Sequence, residues 1–459
     1  MRSNKSRFSL IVFFSLFMNI FLNFNSVAQR ITVDGTMFTV GGHEIFMNGV
    51  NTPWDNWNDF GGAYDHDFWD REFQRIRQAG GNSSRIWITC NGNIGINISD
   101  GGEVADATDK HWQDLDDLFS LAESHQVYIM ATLISFDHTK NSNSKFQAWR
   151  NMLASDTLVG SYINNYLVPF LNRYKGNPYL WSIDACNEIE WMHENAENGQ
   201  TGWPRLQYFV ARVAAAVHKN SDVLVTLGSA AVKWNSTAPG CEGNFWSDQS
   251  LQAQYESPDA FLDFYSPHFY GWVVRWFGDF ALDKKPSDFL INDRPCMVGE
   301  GPATGVYRQN TAGIDILEVP IKDAYTGAYK NGWKGFLAWT SNGVDDNGSL
   351  DDCRVGLLNF YGKNPGLVSQ SVTEIPFPEV SPGKIKVYPN PVDGYLYIDN
   401  PGYELRNVLV YDMTGREVPV QFYNENNILT MDFGSVSPGV YLLTINSGIQ
   451  KRSIRIFKK

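Results

Sequence analysis

Short apolar runs alternate with longer amphipathic stretches from about residue 31 to about residue 370. ITVDGTMFTVGGHEIFMNGVN (31–51) reads as a hairpin followed by a strand ending near Asn51. HDFWDREFQRIRQAG (66–80) repeats its apolar positions with helical spacing and stops at Gly80. NSSRIWITC (82–90) reads as a strand, HWQDLDDLFSLAESH (111–125) as a helix and VYIMATLISF (127–136) as a strand. A long helical stretch, LVGSYINNYLVPFLNRYKG (158–176), leads into the strand YLWSIDACNE (179–188). PRLQYFVARVAAAVHKN (204–220) is a strong helix and DVLVTLG (222–228) the next strand. AFLDFYSPHFY (260–270), RPCMVGEG (294–301) and WKGFLAWTSNG (333–343) supply the sixth, seventh and eighth strands. The helices between these last strands are weaker, and GIDILEVPIKDAYTGAYKNG (313–332) is the clearest of them.

Strands alternating with helices predict a parallel sheet with helical crossovers, and eight such units fit a closed (β/α)8 TIM barrel. An open doubly wound sheet also alternates, but it normally carries a glycine-rich phosphate loop after its first strand. NGVNTPWDNW (48–57) is not one.

The pattern changes near residue 370. SVTEIPFPEVSPG (371–383) has no periodicity and reads as a linker. From Lys384 onward come short alternating strands split by turns: KIKVYPNP, YLYIDN, NVLVYDMTG, NILTMDF, GVYLLTIN and KRSIRIFKK. They predict a small all-β, immunoglobulin-like sandwich over 384–459. At the other end, Arg2, Lys5 and Arg7 precede the apolar run Phe8–Leu22, and Ser26-Val27-Ala28 offers a cleavage site. Residues 1–28 are thus expected to be a cleaved signal peptide, with a retained anchor as the alternative, and 29–370 the barrel domain. No other stretch is long and apolar enough to cross a bilayer.

Composition narrows the function. A net charge of -13 disfavours nucleic acid and anionic membrane as partners. Fifteen Trp call for a use beyond core packing, and an indole ring is a good platform for the apolar face of a sugar. Five Cys match no metal or redox spacing. Cys90, Cys186 and Cys296 fall in strand-like runs and read as buried thiols, while a Cys241–Cys353 disulfide stays open.

In a (β/α)8 barrel the chemistry sits where strands end. Those ends carry Arg85 and Trp87 (strand two), His138 (after strand three), Asn187 and Glu188 (four), His268 and Tyr270 (six), Glu300 (seven) and Trp339 (eight). Strands four and seven face each other across a barrel mouth, so Glu188 and Glu300 form a candidate carboxylate pair. Such a pair is what glycoside hydrolysis requires, one as acid and then base, the other as nucleophile, with Asn187 on the sugar 2-hydroxyl. A lone Glu at a strand end is more often a solvated surface group. The whole set in this order argues otherwise. Arg85 would keep Glu300 ionised, and an anionic Glu300 would raise the pKa of Glu188. Glu190 and Glu194 read as surface charges or distant subsites. Trp54, Trp57, Trp191 and Trp272 read equally as loop packing or sugar platforms. DDNGSLDD (345–352) resembles a calcium loop only in composition and reads as an ordinary turn.

The closing NE of strand four, HFY (268–270), GEG (299–301) and AWT (338–340) resemble the retaining β-glycosidases built on a (β/α)8 barrel, glycoside hydrolase family five above all. TMFTVGGHEIFMNGVN and GGNSSRIWI are similar to that family too, and the likeness covers roughly residues 31–345. It implies Glu188 as acid/base, Glu300 as nucleophile, and Arg85 and Tyr270 as partners of the nucleophile. It also implies His268 beside the acid/base and Trp339 as the floor of the sugar subsite. RIW (85–87) leans toward the mannanase-like members. Family members often place His directly on strand three, whereas His138 comes late, in SFDHT. VYPNP, VYDMTG and SPGVYLLTI resemble the sorting domain of type IX secretion, which implies export across the outer membrane. A carbohydrate-binding sandwich is the alternative for this region.

The expectation is therefore a secreted, monomeric retaining endo-β-1,4-glycanase needing no metal or cofactor, with mannan favoured over glucan. The alternatives are an exo-acting β-glycosidase of the same clan and a catalytically idle glycan-binding surface protein.

Overall fold

The computed structural model describes residues 30–369, 386–399, 407–425, 428–446 and 451–459. The expected signal peptide and linker lie outside the described residues. Eight parallel strands form one sheet: Met47–Asn51, Ser83–Trp87, Tyr128–Thr132, Leu180–Asn187, Leu224–Ser229, Ser266–Pro267, Val298–Pro302 and Gly335–Trp339. Strands one and eight pair side by side, Met47 opposite Gly335 and Asn51 opposite Trp339. Strand six is the shortest. Its seam with strand seven is held by single bridges, Tyr265 with Cys296 and His268 with Glu300. The backbone hydrogen bonds Met297 N–H to Tyr265 O (2.9 Å) and Phe269 N–H to Glu300 O (2.8 Å) complete it. The sheet thus closes into a barrel.

These strands form because their residues are buried on both faces, which favours near-continuous apolar runs. All eight residues of Leu180–Asn187 are buried. The helices cover the outside, and their ends are set by local chemistry. The Asp65 carboxylate accepts from the backbone N–H of Asp67 (3.0 Å) and Phe68 (3.4 Å), which starts helix His66–Gln78. Thr108 caps helix Asp109–His125 in the same manner, and Gln126 ends it with φ of 57°. The N-terminal strands Ile31–Asp34, Met37–Val40 and His43–Ile45 close the bottom of the barrel. Phe38 meets Trp181 and Phe264 edge-on there, with ring centroids 5.3 and 4.9 Å apart. With that end plugged, the open mouth is the one where the strands end.

Two segments depart from the pattern reading. The stretch 313–332 is not one helix: Asp315–Pro320 is a strand, paired antiparallel with Gly305–Gln309, and only Ile321–Lys330 is helical. The β-branched Ile314, Ile316 and Val319 favour the pleated conformation, and Pro320 sets a natural boundary before a helix. A helix at Phe146–Ala154, which the pattern does not single out, precedes the long helical stretch, and that stretch carries a π turn at Ile163–Leu167. All five cysteines are free thiols, so the Cys241–Cys353 bridge does not form. Cys90, Cys186 and Cys296 are buried, as expected. Among the described residues no helix is long and apolar enough to cross a membrane.

The C-terminal residues form two antiparallel sheets, one of Lys386–Tyr388, Tyr395–Asp399, Ile428–Asp432 and Gln421–Glu425, the other of Asn407–Asp412, Gly439–Asn446 and Lys451–Lys458. Leu396, Ile398 and Met431 from the first share one core with Val410, Leu443, Ile445 and Ile456 from the second. Strand Gln421–Glu425 is an addition to those read from the sequence.

Candidate active site

Arg85 lies at the centre of the site and is completely buried. Its Nη1 donates to Glu300 Oε1 (2.5 Å) and Asn51 Oδ1 (3.1 Å). Its Nε and Nη2 donate to Asp184 Oδ2 (2.9 and 2.7 Å), and Nη2 also to Asn187 Oδ1 (2.8 Å). A guanidinium without water must be paired to be tolerated. Asp184 is therefore indispensable to the arrangement. Its Oδ2 also accepts from Thr132 Oγ1 (3.0 Å), and its Oδ1 from the Gly228 N–H (2.8 Å). The pattern reading missed Asp184. The signal was there: an acid in the middle of an otherwise apolar strand must be answered by a buried cation. Gly228 was missed as well. A Cβ there would stand 2.5 Å from Arg85 Nη2 and 2.9 Å from Asp184 Oδ2, so only glycine leaves room for the ion pair.

Glu188 follows strand four in the left-handed region, with φ of 49°. That is unusual for a non-glycine residue and is held by the Glu188 N–H donating to Gly228 O (2.7 Å). The carboxylate is gripped on both oxygens: Oε1 lies 2.8 Å from His268 Nδ1, and Oε2 accepts from Trp191 Nε1 (2.7 Å). Burial pushes the Glu188 carboxyl up to about 7 against the pull of Trp191 and Arg85. The charge of Asp137 adds to the shift, and the repulsion between the two carboxylates raises the Glu300 carboxyl. His268 is buried and held neutral, its pKa pushed down to about 4 chiefly by desolvation. Its Nε2 has no hydrogen-bond partner, so its proton belongs on Nδ1, facing Glu188.

Glu300 ends strand seven. Its Oε2 accepts from Tyr270 Oη (2.8 Å) and lies 3.4 Å from His268 Nδ1. Burial raises its carboxyl, while His268, Arg85 and the Tyr270 hydroxyl favour the ionised form. One oxygen each of Glu188 and Glu300, with a ring nitrogen of His268, lie within 4.8 Å of one another. Such a cluster also has the spacing to hold a metal ion.

Trp339 shares a cluster with Tyr270, the hydrogen-bond partner of Glu300, and lies 5.7 Å from Trp87 and 6.2 Å from Trp54. Trp57, 41% exposed, extends the aromatic surface from Trp54. On the other flank Trp191 meets Trp272 at 6.2 Å and Trp234 at 5.8 Å. The structure thus gathers Arg85, Asn187, Glu188, His268, Tyr270, Glu300 and Trp339 at one end of the barrel. His138 is not among them. It is buried, with Nε2 3.1 Å from Thr89 Oγ1 and Nδ1 bonded to Ser135, and burial pushes its pKa down to about 3. Glu190 is no surface charge but a fully buried carboxyl, pushed up to about 7 by burial. Residues 344–346 form a short turn, and Asp352 caps helix Leu350–Lys363 through Ser349.

Residues 386–459 match the family described as the secretion system C-terminal sorting domain. Over 367 residues the chain is 25% identical to the mannan endo-1,4-β-mannosidase of Cryptopygus antarcticus, covering 73% of this chain and 91% of that protein. It is also 25% identical to the enzyme of the same name from Mytilus edulis, covering 70% and 90%. The solved endo-1,4-β-mannanase of Eisenia fetida superposes with a TM-score of 0.63 at 24% identity, over 73% of this chain and 96% of that one. The β-1,4-mannanase of Aplysia kurodai gives 0.63 at 23%, over 74% and 99%. Taken with the barrel, these relatives make the chain a glycoside hydrolase. More particularly, its homologues are mannan endo-1,4-β-mannosidases, and its C-terminal domain marks it for type IX export to the cell surface or extracellular space.

Proposed function

We propose that this protein is a retaining endo-β-1,4-mannanase. The observation that carries the mechanism is the close approach of Glu188 and Glu300, with oxygens within 4.8 Å. Retaining enzymes hold their carboxyl groups about 5–5.5 Å apart, whereas inverting ones need roughly 6.5–9.5 Å to admit a water. Glu300 Oε attacks the anomeric carbon as Glu188 gives its proton to the leaving sugar oxygen. The C–O bond to the departing chain breaks and a glycosyl ester forms. Glu188, now anionic, takes a proton from water, whose oxygen attacks the same carbon and releases Glu300. Asn187 Oδ1 is bound to Arg85, which leaves the amide nitrogen for the sugar 2-hydroxyl. Trp339 supplies the apolar floor. Mannan over glucan rests on the names of the relatives, and endo action rests on the same ground. The C-terminal sheets are read as an immunoglobulin-like sandwich, since one core draws on both.

The test is reducing-end release from mannan, glucomannan, carboxymethyl cellulose and xylan, together with a 2-deoxy-2-fluoro β-mannosyl trap. Mannan is cleaved, and the trap adds its mass to the peptide holding Glu300. Glu300→Ala lowers turnover by roughly 10³-fold or more while polymer binding persists. Label on another residue, or full activity in Glu300→Ala, refutes the mechanism. Cleavage of cellulose alone refutes the substrate.

A further inference from the structure

Glu190 is the least expected side chain near the site. It is completely buried and faces neutral donors. Its Oε1 accepts from Ser229 Oγ (2.6 Å) and Trp246 Nε1 (2.9 Å), and its Oε2 from the Ala230 N–H (3.1 Å). A desolvated carboxyl with no cation beside it is costly to keep and calls for a reason.

The reason lies in what these bonds join. Glu190 stands two residues after Glu188, in the turn where Glu188 takes its left-handed backbone. The Trp191 N–H closes that turn on Glu188 O (3.1 Å), and Glu190 O accepts from the N–H of His193 and Glu194 (both 2.9 Å). Ser229 ends strand five, and its carbonyl accepts the His268 N–H (2.9 Å). Both groups that grip the Glu188 carboxylate therefore hang from the parts that Glu190 ties together. Trp191 is its chain neighbour, and His268 is bonded to the backbone of Ser229.

We propose that Glu190 is a positioning residue for the acid/base: it clamps the turn after strand four to the end of strand five and so fixes Glu188 between Trp191 and His268. This inference rests on the reading of Glu188 as general acid. It makes a demand that a merely structural carboxyl would not. Proton donation matters for a poor leaving group and hardly at all for a good one. Damage to the clamp must therefore appear as a dependence on leaving-group acidity.

The experiment uses the full chain and a series of aryl β-mannobiosides from 2,4-dinitrophenyl to phenyl, comparing wild type, Glu190→Gln and Glu188→Ala. Glu190→Gln is expected to lose about tenfold or more in kcat/KM on the phenyl glycoside and to stay within about twofold on the dinitrophenyl one. Glu188→Ala shows the same pattern, more steeply. Equal losses by Glu190→Gln across the series, or none, overturn the proposal while Glu188→Ala keeps its slope. A flat series for Glu188→Ala overturns the reading of the acid itself. Should Glu190→Gln fail to fold, Ser229→Ala and Trp246→Phe each remove one donor and leave the carboxyl in place. Each is expected to steepen the series in the same sense, and a flat response from both overturns the clamp.

Discussion

Each of the two carboxyls has its own set of partners, and that division decides what pH does to them. Glu188 meets an imidazole N–H and an indole N–H, and burial lifts it to about 7. Below that value it holds the proton that the first step of the proposed mechanism needs. Raising the pH through about 7 removes it, so kcat/KM falls along a basic limb there. As the proposed nucleophile Glu300 must be ionised, and burial holds its carboxyl above the ordinary range, so the acid limb is also expected above that of a free glutamate. A bell-shaped kcat/KM profile on mannan checks both signs; a rate still rising between pH 7 and 9 contradicts the first. The Tyr270 hydroxyl stabilises the Glu300 anion from 2.8 Å. Tyr270→Phe should lower kcat/KM roughly 10–100-fold at mildly acidic pH and move the acid limb upward, because a hydrogen bond to a charged group is worth about 1.5–3 kcal/mol. Residues at strand ends were legible because a polar group closing an apolar run stands out. Asp184 carried a signal as an acid inside an apolar strand, but its partner Arg85 lies far along the chain, and Glu190 carried none. Glu190 looks like a loop acid until Ser229 and Trp246 fold over it.

At the scale of elements, the strands of the barrel were legible because burial on both faces leaves them mostly apolar. The hairpin at 305–320 was hidden because IDILEV carries apolar residues at spacings that suit a helix as well as a strand. Which one forms is settled by Gly305–Gln309 lying beside it. Some helices owe their start to a single side chain, as His66–Gln78 does to Asp65 and Asp109–His125 to Thr108. Asp65→Ala removes the cap of helix His66–Gln78 and should cost about 1 kcal/mol, read as a fall in urea midpoint, with kcat on mannan unchanged. A drop in kcat would show that the helix start transmits to the site.

Among the described residues the C-terminal sheets have a core of their own, and its members are distinct from those of the clusters in and around the barrel. The sorting domain is therefore expected to carry an address and the barrel the catalyst. A chain ending at residue 370 should keep its activity on mannan but remain inside the cell, measured as activity in the medium against the cell pellet. Loss of activity in the purified short form would contradict this division. The barrel has a weak line of its own, the seam between strands six and seven. It is closed by single bridges, and one of them joins His268 to Glu300. The clasp of the barrel thus includes the proposed nucleophile and the histidine that holds the proposed acid. Opening at that seam is expected to part the imidazole from the carboxylate before the rest of the sheet lets go. Isotope exchange at the amides of Phe269 and Met297 therefore reports on the readiness of the catalyst as much as on the integrity of the wall.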